Sequence, residues 1–203
     1  MKKFEMTSEF ITNVLGTKLF RIKALIEFGD VSAGELGGYI EKEENLAQDG
    51  NAWVYGNAKV YGDAKVCGDA KVYGNAEVCG NAEVYGNAKV YGDAEVCGDA
   101  KVYGNAEVYG NAEVCGNAEV YGNADYSTVK GFGRIFRTTT FFRTKDKAIG
   151  VNCGCFYGTL EEFRDKVRET HGDSKTAKEY LMLADLMEYK FSREMDVEEE
   201  VNQ

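Results

Sequence analysis

The chain has 203 residues, a formal net charge of −10, six cysteines and no proline. That acidity argues against a general nucleic-acid binder, because such proteins gain affinity by neutralising phosphates with Lys and Arg. No apolar run approaches the roughly 20 residues of a membrane span, and no secretory leader follows Lys2–Lys3, so a cytoplasmic chain with reduced thiols is expected.

Residues 3–12 and 18–28 alternate or run apolar on either side of Thr12-Asn13-Val14-Leu15-Gly16, which predicts a β-hairpin. Residues 29–50 then lead into the repeat, so 1–50 is read as an N-terminal β cap. Twelve uninterrupted hexapeptides of the form [ND]-A-x-V-[YC]-G follow, from Asn51 to Gly122. Ala and Val lie two apart and point to one face of an extended strand. The Lys or Glu between them, and the Tyr or Cys after Val, face out. Gly with Asn or Asp makes a corner, because these residues tolerate positive φ. Short straight sides with a corner every six residues describe a β-solenoid over 51–124, each coil burying its neighbour's face.

Coils of twelve or eighteen residues are both possible, and the Tyr/Cys position chooses. At a spacing of eighteen, Tyr55, Tyr73, Tyr91 and Tyr109 form one tyrosine column. Cys79, Cys97 and Cys115 then follow Tyr61 in a second column, and Cys67 precedes Tyr85, Tyr103 and Tyr121 in a third. At twelve, both columns mix without order. A three-sided coil of about four turns is therefore expected.

The phase V-[YC]-G-[ND]-A-[KE] resembles the hexapeptide repeat of left-handed parallel β-helices. The stretches Phe28-Gly29-Asp30, Gly34 to Glu41, Glu44-Asn45-Leu46 and Gly50 to Val54 narrow the likeness to the YdcK-like β-solenoid family of transferase-type proteins, including similar chains of phages and prophages. The resemblance covers roughly residues 4–124. It implies a left-handed coil. It also raises acyl transfer from acyl-CoA, since many such β-helices resemble acyltransferases that place a histidine base and an extruded loop near a subunit interface. If a phage encodes the chain, host cytoplasm is its place.

Residues 125–203 make a third segment. Arg134–Thr144, the turn Lys145-Asp146-Lys147 and Ala148–Tyr157 predict a second hairpin. Thr159 and Glu162 form a capping box for a helix striped by Leu160, Phe163 and Val167. Gly172-Asp173-Ser174 opens a second helix with Ala177, Tyr180, Leu181, Ala184 and Met187 on one face. Leu183 and Leu186 widen that face, which calls for a second contact such as a partner subunit. The acidic tail from Glu194 is expected to fray.

Candidate chemistry is sparse. The hexads hold no histidine and no insertion, so His171, between the two helices, is the sole candidate general base. A metal is not expected. The Cys79–Cys97–Cys115 ladder is read as packing, since a straight ladder does not readily wrap a metal, and Cys153-Gly154-Cys155 with His171 lacks a fourth ligand. The segment holding Arg134, Arg137, Phe141, Arg143 and Lys145 interleaves bases with aromatics and is a candidate ligand-contacting patch. The column Glu77, Glu95, Glu113 spaces carboxylates regularly and could occupy a basic groove on another protein. Tyr55, Tyr73, Tyr91, Tyr109, the three column cysteines, Leu183 and Leu186 are assigned to packing or oligomer contacts. The expectation is a cofactor-free, non-catalytic binding or assembly protein that forms a dimer or trimer. Its other partner would be a host protein with a basic surface. An acyl-CoA-dependent acyltransferase is the alternative.

Overall fold

A computed structural model describes residues 2–133 and 137–200, with side chains described through Ser192. The described chain divides into two units, Met1–Asn123 and Ala124–Gln203.

The first unit is built by the hexads. Each contributes a two-residue strand, from β4 (Trp53–Val54) through β5 (Lys59–Val60) and onward to β15 (Glu119–Val120). Every hexad Ala and Val is buried, at 0–1% exposure. Strands eighteen residues apart pair in parallel: Val54 with Val72, Val72 with Val90, Val90 with Val108. The other two sides pair the same way, giving three sheets and a three-sided coil. Backbone donors run from coil to coil: Glu77 N to Ala94 O at 2.9 Å, Cys79 N to Val96 O at 2.9 Å, Asn81 N to Gly98 O at 2.8 Å. The corner glycines take positive φ, as at Gly98 (+69°), where a Cβ would stand 2.8 Å from Gly116 N. Glycine is thus required twice over, by dihedral and by stacking distance.

The Asn/Asp choice at the corners follows the same register. Asn51 donates to Asp69 (2.7 Å), Asn75 to Asp93 (2.9 Å) and Asn81 to Asp99 (2.9 Å), each one coil along. No two hexad aspartates lie eighteen apart in the sequence, so every corner Asp stacks on an amide rather than on another carboxylate.

The solenoid has about five turns, one more than the perfect hexads supply. β3 (Leu36–Ile40) lies parallel to β5, pairing Tyr39 with Lys59, and Leu46 bridges Val66. Both offsets are twenty residues, so this first coil is two residues longer than the rest. The register returns to eighteen at Trp53, which places the extra pair at Gln48 and Asp49. Gln48 uses its amide to accept from Lys3 N (2.8 Å) and to donate to Glu43 Oε1 (2.8 Å). Asn45 donates to Gly62 O and Ala64 O, replacing a missing strand partner with a side chain.

The expected hairpin is present as β1 (Phe4–Thr12) and β2 (Lys18–Ala24), and β2 pairs antiparallel with β3. It therefore extends one solenoid sheet to seven strands. Lys3 is 2% exposed and its ammonium donates to the carbonyls of Asp49, Gly50 and Ala52. Burial lowers its pKa to about 8, the charge of Asp49 opposing the shift. Trp53 departs from the hexad rule. Its position faces out elsewhere, yet it is fully buried, with Phe28 and Phe4 edge-on to its ring at 5.4 and 6.2 Å.

The second unit holds a four-stranded antiparallel sheet, β16 (Tyr126–Phe132), β17 (Arg137–Arg143), β18 (Ile149–Cys153) and β19 (Phe156–Thr159). The sequence predicted one hairpin here. The run from Ala148 to Tyr157 instead breaks at Gly154 (φ +63°) into two strands. α1 (Leu160–His171) starts with the predicted Thr159–Glu162 capping box, and α2 (Lys175–Glu200) continues past Glu194, where fraying was expected. Their stripes meet the sheet in a core of Phe141, Val151, Phe163, Val167, Ala184 and Phe191. Arg164, nearly buried, pairs with Glu161 on its own helix (2.6 Å) and links the helices through Asp185 (2.9 Å) and Glu188 (2.6 Å).

Candidate functional site

The three solenoid sides differ in charge order. On the first, Tyr73 stacks on Tyr91 (4.7 Å) and Tyr91 on Tyr109 (5.3 Å), beside a Lys89–Glu107 pair at 2.8 Å. The third alternates Lys65, Glu83, Lys101 and Glu119, so each carboxylate has a cationic neighbour in the column. The second stacks Lys59, Glu77, Glu95 and Glu113. Lys59 and the Tyr61 hydroxyl both reach Glu77, at 2.7 and 3.0 Å. Glu95 pairs with no cation or donor among the described residues. Partial burial, then the charges of Glu113 and Glu77, raise its pKa above the ordinary carboxylate value. The corner acids are less available: Asp69, Asp93 and Asp99 accept from asparagines, and Asp63 pairs with Lys42 at 2.5 Å.

The cysteine column lies beside these glutamates. Its thiols were expected to be free, but Cys97 and Cys115 are joined by a disulfide with Cα atoms 4.6 Å apart. In-register stacking brings them within bonding range without backbone movement. Cys79, one rung away, is free; burial raises its pKa, and the neighbouring Tyr61 hydroxyl opposes that shift. The donor atoms of Glu95, Cys97 and Cys115 all lie within 4.8 Å of one another.

The second unit contains a cavity of about 570 Å³ walled by β17, the Gly154 turn, α1 and α2. Phe156, Phe163 and Val167 give it an apolar floor, and Arg137, Lys166 and His171 stand at its rim. The geometry depends on Gly154, since a Cβ there would fall 1.6 Å from Arg137 Nη1. His171 stacks on Tyr180 at 6.0 Å. Burial and the neighbouring Cys153 push the Tyr180 hydroxyl up to about 12. Cys153 and Cys155 line the same cavity, but with His171 they do not converge to ligand distance.

The residues of the basic segment are dispersed. Arg134 lies outside the described residues. Arg137 reaches the cavity, while Phe141 is fully buried, edge-on to Phe163. Arg143 donates to the Phe191 carbonyl and packs over its ring. Lys145 is exposed in the turn after β17. Leu183 is buried in the core, whereas Leu186, Met182 and Tyr189 are exposed on α2. The cavity itself was not readable from sequence, because four separate elements assemble it.

The described elements define a three-sided hexapeptide-repeat β-solenoid followed by a small antiparallel α+β unit. The chain is similar to YdcK of Escherichia coli (strain K12), which carries the name uncharacterized acetyltransferase, at 42% identity over 62 residues. That match takes in 27% of this chain and 19% of YdcK, so the chain spans about a fifth of the length of the curated relative it matches. No family model matches. No described helix is long and apolar enough to cross a membrane.

Proposed function

We propose that the chain is a rigid, non-catalytic binding and assembly module that works as an oligomer and engages a basic protein surface. The observation that carries this is the second solenoid side. There Glu77, Glu95 and Glu113 are stacked in backbone register with no cation between them, whereas the third side alternates signs. Like charges directly opposite each other cost stability, and a basic partner would relieve that cost. Exposed Leu186, Met182 and Tyr189 on α2 favour a contact with a second copy. The resemblance to phage and prophage solenoids gives a sharper form: an accessory that binds and inhibits a host protein. Changing Glu77, Glu95 and Glu113 together to Lys should abolish capture of the partner from host cytosol, and Arg137→Glu should leave it. Unchanged capture by the triple variant would remove the acidic face from the account.

A second reading has an observation of its own. His171 stands at a cavity rim with Arg137 and Lys166, where a base beside cations suits an anionic acyl donor. YdcK's name points the same way. Acetyl-CoA binding at micromolar concentration, lost in His171→Ala, would favour this reading over the first.

A further inference from the structure

Glu95 and Cys97 lie on the same face of one rung, and Cys115 stacks on Cys97 from the next. In β11 (Glu95–Val96) and β14 (Glu113–Val114) the buried valines hold both rungs in register, so the outer side chains are placed by the core beneath them. The three donor atoms already lie within 4.8 Å of one another. Around a tetrahedral zinc, with Zn–S about 2.3 Å and Zn–O about 2.0–2.2 Å, donors stand roughly 3.5–4 Å apart. On reduction the two sulfurs, bonded in the structure, separate toward that spacing, which Cα atoms 4.6 Å apart permit.

We propose that Cys97 and Cys115, in their dithiol state, form with Glu95 a site for a thiophilic divalent cation of the zinc class, leaving a fourth position to water. Two observations point to the same ligand chemistry. The sulfurs are close enough to be joined in the structure, hence close enough to share one ion. The carboxylate beside them is partly buried, stands in register between Glu77 and Glu113, and has no partner among the described residues, so a cation there offsets a like-charge cost. Two sulfurs and one oxygen suit zinc or cadmium. Magnesium and calcium require shells of oxygen. Glu77 is excluded from the site because Lys59 and Tyr61 hold it. The ion would clamp β11 to β14, the last strand of its sheet.

This inference does not rest on the partner-binding reading. Cys97→Ser removes the metal site and leaves all three glutamates, so the two ideas fail separately. The test uses the full chain, treated with a dithiol reagent. The reagent is oxidised to its own disulfide as Cys97 and Cys115 take up two electrons and two protons. After anaerobic removal of the reagent, Cd²⁺ is titrated and thiolate-to-cadmium charge transfer is read in the ultraviolet. One equivalent should bind, with Zn²⁺ competing and Mg²⁺ not. Cys97→Ser and Cys115→Ser should each abolish the signal, and Glu95→Gln, which leaves both thiols in place, should weaken binding at least tenfold. A Cys153→Ser/Cys155→Ser double variant should bind as the parent does. A signal that survives Cys97→Ser, disappears in the double variant or is unchanged by Glu95→Gln would overturn the site, as would no signal in the parent.

Discussion

Val96→Asp should abolish the cooperative melting transition, while Glu95→Lys, one residue earlier, should raise the melting temperature. Val96 is fully buried and its pair partners Val78 and Val114 are too, so the new carboxylate has neither water nor a partner. Burying an unpaired charge costs several kcal/mol against a total stability of about 5–15 kcal/mol. Glu95 faces out between Glu77 and Glu113. A lysine there replaces two like-charge neighbours with opposite ones, a gain of about 0.5–1 kcal/mol. The raised pKa of Glu95 fixes how this behaves with pH. Its folded value exceeds its unfolded one, so its unfavourable contribution is full above the folded pKa and absent below the unfolded pKa. The stability gained by Glu95→Gln should therefore fade on acidification through the carboxylate range. Thermal melts followed by circular dichroism check all three. A Val96→Asp melt close to the parent's would mean the strand faces are misassigned.

Trp53→Ala is the second large effect, with an expected loss of about 3–5 kcal/mol. Trp53 is fully buried among Phe4, Phe28 and Gly37, where a Cβ on Gly37 would fall 2.7 Å from the indole. Lys71→Ala, at the next rung of the same column, should cost under about 1 kcal/mol because that position is only partly buried and its ion pair with Asp30 is exposed. The same formal place in the repeat thus carries two different roles. Denaturant unfolding of the two variants measures the contrast, and equal losses would contradict the cap described for the N-terminal end.

How much of this was legible in the sequence depended on redundancy. Twelve copies of one hexad stated the buried pair, the corner and, through Tyr and Cys, the coil length. The first coil was not readable because it keeps Gly37-Gly38-Tyr39-Ile40 and Asn45-Leu46 but replaces the rest with side-chain substitutes and two added residues. Trp53 obeys the repeat by position and breaks it by environment, which only the hairpin above it decides. The second unit has no repeat to average over. Its capping box and helix stripes were clear, since each is a local pattern. β16 was missed, and Phe141 and Arg143, proposed as a ligand face, are engaged by the core and by Phe191. β17 buries Thr139 through Phe142 in succession, so alternation could not tell its ligand face from its core face. The cavity needed Gly154 to let Arg137 cross the turn toward the two helices, a convergence no single segment encodes.

Everything assigned to the outer columns rests on the eighteen-residue coil, and the cysteines can report it. Mild oxidation of the reduced full-length chain, followed by proteolysis and mass-spectrometric mapping of crosslinked peptides, reads which thiols are neighbours. The three-sided coil predicts Cys97 joined to Cys115, with Cys79 to Cys97 as the permitted competitor, both eighteen apart. An intramolecular bond between Cys67 and Cys79, twelve apart, would contradict it.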